Sequence, residues 1–389
     1  MKTLAAALFA LTATRAYGDP IRLRADALAT TQAPAGLLVL DGDATPSSLT
    51  SAEALVWTAG DALPGQQHVG DVLVMMLKAR TADNSAAVRV GRFVATLGAL
   101  RPVQVDGAGG RIRLPHRFDA EAYAGIPVLA GLTTARTWDW VAGGRLSRRL
   151  GDYGSAGLAF LEQRDDGRLA TEEIGGDAGL ALTKHDDVGA RAAYDLANPG
   201  LAEVSLTATH RGDSLREDLY GTYRAASHLL PATSLFTVLG DTPSERAGAV
   251  LTWKAAPRLD VIGDAGMRYV DSMVAPAVTL RARLRLDDKG TSALSAEIRR
   301  DGPRDDAWTG ARAAARISLP HMLTASTELE VVVPDDPRGR GNVWPWALAA
   351  LGWDSGVWHA AAAIEASASP EDRRRLDALL NLGRVWGGK

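Results

Sequence analysis

From about residue 20 to its end, this chain repeats one pattern: apolar and polar residues alternate with a period of two. Arg281, Arg283 and Arg285 alternate with Leu280, Ala282, Leu284 and Leu286. Arg22, Arg24 and Asp26 alternate with Ile21, Leu23, Ala25 and Ala27, and Glu203, Ser205, Thr207 and Thr209 alternate with Val204, Leu206 and Ala208. Successive side chains on a strand point to opposite faces, so each stretch carries one apolar and one polar or charged face. A soluble sandwich hides the apolar face between two sheets, whereas a transmembrane barrel turns it to lipid and keeps the charges in a wet lumen.

The rest of the chain favours the barrel. Lys2, the apolar run Leu4 to Leu11 and the small-x-small site Ala16-Tyr17-Gly18 read as a secretory signal peptide over residues 1–18, with a mature chain from about Asp19. That apolar run is far shorter than the ~20 residues a spanning helix needs. Cysteine is absent, which excludes disulfides and lipoprotein attachment. No Pro- or Ser-rich linker divides the chain, so residues 19–389 read as one barrel domain, less regular over 19–118 and a regular strand meander over 119–389. The net charge of −3 suggests neither nucleic-acid binding nor a polybasic tail.

The regular part shows strand after strand. Trp138, Trp140, Ala142 and Leu146 oppose Asp139, Arg145, Ser147 and Arg149, and Trp358, Ala360, Ala362, Ile364 and Ala366 oppose His359, Glu365 and Ser367. Gly, Asn and Asp at Gly151-Asp152, Asp166-Gly167, Asn198-Pro199-Gly200 and Lys289-Gly290 supply turns. Spanning strands of ~9–11 residues then give about 18 strands, within 16–20, in a single-chain antiparallel all-β barrel. Six of the ten tryptophans, Trp138, Trp253, Trp308, Trp344, Trp353 and Trp386, sit at stretch ends, where aromatic girdles are expected.

Such a chain resembles the Gram-negative outer-membrane β-barrel porins. Within them it looks most like the large monomeric barrels of alginate-export and polysaccharide-export type, on its strand number, its Arg-rich inward face, and Gly91-Arg92-Phe93 running into Leu100-Arg101-Pro102 and Asp106-Gly107. The resemblance implies a place in the cell outer membrane, contact with outer-membrane lipid, and a periplasmic polysaccharide-export protein as partner.

By parity the lumen would be lined by Arg22, Arg24, Arg111, Arg113, Arg145, Arg149, Arg191, Arg281, Arg283, Arg285, Arg299, Arg312 and Arg316, with Glu203, Asp264, Glu328 and Glu330 among the opposing acids. Rings of Arg favour anions, because the guanidinium is always charged and presents a rigid fork to carboxylate or phosphate. Spaced about 7 Å apart per two residues, Arg281, Arg283 and Arg285 would form an anion ladder unless opposite charges neighbour them. The competing reading is that these Arg pair with inward Asp and Glu and stiffen the wall.

Asp43 to Gly70, rich in Ser, Pro and Gly, reads as a long external loop or an inward-folded constriction, and Pro334 to Gly341 as a second polar loop. Asp335 and Asp336 offer oxygen ligands for calcium, but two carboxylates in a loop are ordinarily just solvated. Enzymatic signatures are missing: there is no G-x-S-x-G, no P-loop and no H-E-x-x-H, and the seven histidines stand singly. Ser205 and His210 share a stretch but differ in parity, so they do not form a shared site. No cofactor is implied. The expected function is a channel for hydrophilic and anionic solutes, an anionic sugar or small anion, or an exported polysaccharide. The alternative is a plugged barrel that serves as a scaffold or partner-gated component of an envelope complex. A secreted β-sandwich is a third reading, kept open by the Ala-rich faces at Ala311 to Ala315 and Ala360 to Ala366.

Overall fold

The computed structural model describes residues 22–30, 35–61, 69–128, 139–225, 244–270, 273–303, 307–336, 342–368 and 374–386. The expected signal peptide lies outside them. Twenty-two strands occupy the described residues. The first eleven are β1 (Arg22–Thr30), β2 (Ala35–Ser47), β3 (Thr50–Asp61), β4 (Val69–Arg80), β5 (Ala86–Ala95), β6 (Val103–Leu114), β7 (Phe118–Pro127), β8 (Trp140–Arg149), β9 (Gly154–Asp165), β10 (Arg168–Ala181) and β11 (Asp186–Asp195). The rest are β12 (Gly200–Arg211), β13 (Leu215–Arg224), β14 (Ser244–Ala256), β15 (Leu259–Val270), β16 (Met273–Arg285), β17 (Ala293–Asp301), β18 (Trp308–Leu319), β19 (Leu323–Pro334), β20 (Trp344–Asp354), β21 (Trp358–Ser367) and β22 (Arg375–Trp386).

Each strand pairs antiparallel with the next in sequence, and β22 pairs back onto β1, with Leu23 opposite Trp386 and Thr30 opposite Leu379. That last ladder closes the sheet into a barrel, so no strand edge faces lipid. Twenty-two strands exceed the expected 16–20. The reason is local: several strands meet through two-residue turns, such as 48–49, 166–167 and 257–258, which shortens the repeat and fits more strands into the same length.

The loop expected over Asp43 to Gly70 is largely strand. It is the end of β2, all of β3 and the start of β4, with 62–68 outside the described residues. Its Ser and Pro content reflects a tight hairpin. The Ser47 hydroxyl accepts hydrogen bonds from the N–H groups of Leu49 and Thr50, both at 3.1 Å. Pro46 falls where the β2–β3 register shifts, a place that needs no ladder N–H.

The outward face is apolar. Leu77, Val90, Leu158, Leu206, Met267, Ile298, Ile364 and Leu380 all stand exposed, Leu77 at 67% and Ile298 at 61%, as lipid-facing side chains do in an isolated chain. The start of β1 and the end of β22 share one rim, whose connections are all short, the longest being 286–292. The opposite rim carries the long connections 128–139 and 225–243. Short periplasmic turns and longer external loops are the usual arrangement of outer-membrane barrels, and by that convention the terminus-bearing rim is called periplasmic and the opposite rim external. Outward aromatic residues gather at both ends: Trp253, Trp353, Trp358 and Trp386 below, Trp140, Tyr194 and Tyr269 above. Arg384 stacks over Trp358 at 4.7 Å and over Trp386 at 5.0 Å, a cationic and aromatic anchor at headgroup level. Of the other expected girdle residues, Trp138 lies outside the described residues. Trp308 and Trp344 depart from expectation and face the lumen, because both have the parity of Arg312 and Trp346 rather than of Ile317 and Leu351. The protein is an all-β, single-chain antiparallel barrel with an apolar outer face.

Ile298→Lys, at the middle of β17, is expected to cost about 2–4 kcal/mol of folding free energy in vesicles. Arg283→Ser, on the inward face of the adjoining strand, is expected to change it by less than about 0.5 kcal/mol. Urea midpoints of the two variants in lipid check this, and equal effects would invert the assignment of faces.

Candidate functional site

Every described residue of the expected lumen set lies on the inward parity, opposite the apolar face. Arg22 and Arg24 stand in register with Asp43 and Asp41 across β1–β2. Most of the other arginines face carboxylates on neighbouring strands. Asp119, only 5% exposed, collects Arg111 at 3.0 Å, Arg149 at 3.7 Å and Arg113 at 3.9 Å. Arg145 binds Asp177 through two hydrogen bonds, 3.0 Å and 2.6 Å, the fork-to-fork geometry that suits guanidinium and carboxylate. Glu203 sits between Arg191 at 2.6 Å and Arg224 at 3.4 Å. Asp264 accepts from the Tyr220 hydroxyl at 3.1 Å.

The same pairing runs through β16 to β19. Arg281 Nε donates to Glu297 at 2.6 Å, Arg299 lies between Glu297 and Glu330, and Arg312 Nε is 2.6 Å from Glu328. Arg285 reaches Asp260 at 3.6 Å and the Pro257 carbonyl at 3.0 Å. The triplet of β16 is therefore no uniform ladder: two of its three charges are compensated. Arg283 makes no ion pair among the described residues, since Asp260 opposite it lies with Arg285, and Arg316 on β18 makes none either. Both line a groove of about 410 Å³ with Arg281, Arg312, Ser295 and Ser326. Arg283 is opposite Ser295, whose other neighbour is Ala314, two residues before Arg316. The two free guanidiniums thus belong to one patch of wall near the periplasmic rim. The two carboxylates of that patch, Glu297 and Glu328, are already engaged by Arg281 and Arg312, which leaves a surplus of positive charge.

A feature not expected from sequence is the β5–β6 connection, residues 96–102. Entering from the external rim, it folds inward and packs against the upper wall. Leu97, Ala99 and Leu100 are each only 3% exposed, and Phe93, Val105, Tyr123, Val141 and Leu161 form the buried cluster around them. All five of these wall residues have inward parity. Two glycines make the seat: a Cβ on Gly143 would come within 2.9 Å of Leu97 Cδ1, and one on Gly175 within 2.8 Å of Leu100 Cδ2. Gly98 adopts a left-handed φ of 56° beside the Arg145–Asp177 pair, where a side chain would run into Asp177. Next to it, Arg101 Nε donates to Glu173 at 2.6 Å, and Glu173 is fully buried. Burying Leu97 and Leu100 contributes about 3–6 kcal/mol, so the loop is a fixed part of the wall. The segment seen folded against the inner wall is this loop, whereas the described parts of Asp43 to Gly70 are strand and hairpin. The available signal was a set of apolar residues on the polar parity, Phe93, Tyr123, Val141 and Leu161, together with the unbroken apolar character of Leu97-Gly98-Ala99-Leu100.

Asp335 is held by Arg300, whose guanidinium draws its carboxyl below the usual carboxylate range, so it is not an open calcium ligand. Asp336 is described, but Arg338 and Arg340 are not. Among the described residues no three His, Asp or Glu side chains are grouped to hold a metal ion. His210 is hydrogen-bonded to Asp186 at 2.7 Å on the periplasmic rim and shares no site with Ser205.

No protein-family model matches the chain, and no curated protein matches it in sequence. Its backbone is similar to that of the translocation pore of the P pilus usher PapC, with a TM-score of 0.52 and 9% identity over 95% of this chain and 99% of the other. It is also similar to the ferric enterobactin receptor PfeA from Pseudomonas aeruginosa, with a TM-score of 0.59 and 8% identity over 95% of this chain and 81% of the other. At these identities the likeness is one of fold.

Arg101→Met removes the guanidinium that binds the buried Glu173 carboxylate, a loss of about 3–5 kcal/mol when one partner of such a pair is removed. The expected outcome is release of residues 96–102 from the wall, seen as protease cleavage within 96–102 of the variant in vesicles while the barrel core stays intact. Resistance equal to that of the unaltered protein would show that the ion pair does not anchor the loop.

Proposed function

We propose that the protein is an outer-membrane channel that passes hydrophilic solutes, with a preference for anions, through a lumen narrowed by residues 96–102. The observation that carries this reading is the form of the wall. Extensive contacts between strands join barrel neighbours alone, so the inner face is not packed against an opposite wall. A circular barrel of 22 strands, spaced ~4.8 Å and tilted ~40°, has a backbone radius of about 22 Å. One seven-residue loop held against β7 to β10 narrows such a lumen without filling it. The polar, ion-paired inner face suits water and hydrophilic solutes, and the unpaired Arg283 and Arg316 bias it toward anions.

The bias rests on those two residues more than on the rest of the arginines, because a paired Arg and Glu present little net charge to a passing ion beyond a Debye length of about 8–10 Å. Single-channel recording of the refolded protein under a salt gradient tests the reading. A stable conductance with anion preference is expected. Arg283→Ser with Arg316→Ser is expected to move the reversal potential toward cations, and adding Arg281→Ser, which leaves Glu297 with only Arg299 at 4.0 Å, to move it further. Absence of conductance from a folded, heat-modifiable barrel would replace the channel with a scaffold role, and an unchanged reversal potential would remove these arginines from the pathway.

A further inference from the structure

Three tryptophans turn into the lumen at the external end, on the two strands that flank β19: Trp308 on β18, and Trp344 and Trp346 on β20. Between them runs β19, where Pro334 is opposite Trp308 and Val332 is opposite Trp344. The position is unusual for the residue. Indole rings lower the free energy of a barrel at the headgroup belt outside, and a water-facing inner wall offers them no such gain. No loop of the described residues covers them, unlike Phe93 and Tyr123 on the far wall. Their edges are polar. Trp346 Nε1 donates to Glu365 at 2.8 Å, Trp308 carries the Arg299 guanidinium 4.9 Å above its ring, and Trp344 Nε1 finds no acceptor. Gly310 leaves the room for that stack, since a Cβ there would lie 3.0 Å from the Trp308 ring and 3.3 Å from Arg299 Nε.

Trp344 and Trp346 line a groove of about 390 Å³ together with Arg312, Glu328 and Glu330. Arg312 and Glu328 also line the groove that holds Arg283 and Arg316. The two grooves are therefore continuous along the inner wall. Trp344 is opposite Val332 and Arg316 opposite Ser326, six positions apart on β19, or about 20 Å. At the upper end the charges balance or lean negative: Glu328 and Glu330 are paired with Arg312 and Arg299, while Glu365 meets only an indole N–H. At the lower end two cations are free.

We propose that this wall is a binding track for an acidic oligosaccharide. Flat, polarisable indole faces bordered by hydrogen-bonding side chains match the apolar C–H faces and hydroxyl rims of sugar rings. Free guanidiniums at the other end match the carboxylates of uronate-type units. An amphipathic chain several sugar units long spans both ends, whereas a small inorganic anion uses only the lower one and a neutral oligosaccharide only the upper. The inference specifies the solute of the channel proposed above, but the site itself requires only that the lumen be reachable from solvent.

Titration of a short oligogalacturonate and of a malto-oligosaccharide of equal length into the refolded protein in detergent, by calorimetry, tests the site without requiring conduction. The acidic oligomer is expected to bind more tightly. Trp344→Ala with Trp346→Ala should weaken both ligands about tenfold, a difference of about 1.4 kcal/mol. Arg283→Ser with Arg316→Ser should weaken the acidic ligand alone. Trp344→Phe with Trp346→Phe, which keeps a ring at each place, should restore most of the affinity and so separates loss of stacking from misfolding. The track is overturned if neither oligosaccharide binds a folded barrel, or if both Ala and Ser variants bind as the unaltered protein does. Conduction without binding would leave the channel standing and remove the track; the expected binding pattern in a silent barrel would do the reverse.

Discussion

In the hydrocarbon layer no water is available to a backbone N–H or C=O, so every such group must be paired within the protein. That one demand explains why the ladder between β22 and β1 matters more than any side-chain contact in the chain. With it, the 22 strands have no edge; without it, two rows of polar groups would face lipid at several kcal/mol per group. It also explains why the irregular positions fall where they do. Register shifts between Ala44 and Ser47, and between Ala193 and Tyr194, sit toward strand ends, where the lost ladder bonds are nearest water, although the one between Leu55 and Val56 falls in the middle of β3. A wall fixed in this way cannot carry function by moving. Function belongs to what the inner face presents and to what is folded against it.

The inner face presents many charges and little net field. Chains of alternating sign run around the wall, as in Arg281, Glu297, Arg299 and Glu330, each on or next to a neighbouring strand. Pairs that remain partly wet contribute about 0–1 kcal/mol each, so they are minor terms in stability. Their larger effect is to cancel one another. A sum over all inward arginines overstates the attraction for anions, and positions where cancellation fails, Arg283 and Arg316 among them, carry it.

The alternation of residues 119–389 made the fold class and the facing of the inner residues readable, because a period of two permits only one choice once the apolar face is assigned to lipid. Strand number was less readable, since a two-residue turn such as Ser48-Leu49 leaves no loop to mark the boundary. The Ser- and Pro-bearing hairpin at 46–50 looked like a loop for the same reason that it makes a good turn. Charge pairing was not readable at all. Arg283 and Arg281 have the same parity and the same chemistry, but Glu297, opposite Arg281 on β17, binds it, whereas Asp260, opposite Arg283 on β15, is engaged by Arg285. The constricting loop escaped because its signal is a departure from the alternation, and departures such as Tyr123 or Val141 resemble noise until the residues that cover them are known.

Those departures divide the lumen into two unlike walls. On β5 to β10, apolar side chains point inward and are covered by Leu97, Ala99 and Leu100, so their role is complete within the fold: they hold a constriction in place. On β18 to β20, Trp308, Trp344 and Trp346 also point inward, but the loop lies against the other wall and does not cover them. An aromatic face in a wet channel loses the hydrophobic gain that a covered one has. A covered ring is accounted for by packing. Rings that no described loop covers, two of them lining a groove continuous with that of two free guanidiniums, are accounted for by a ligand that supplies the missing contact as it passes.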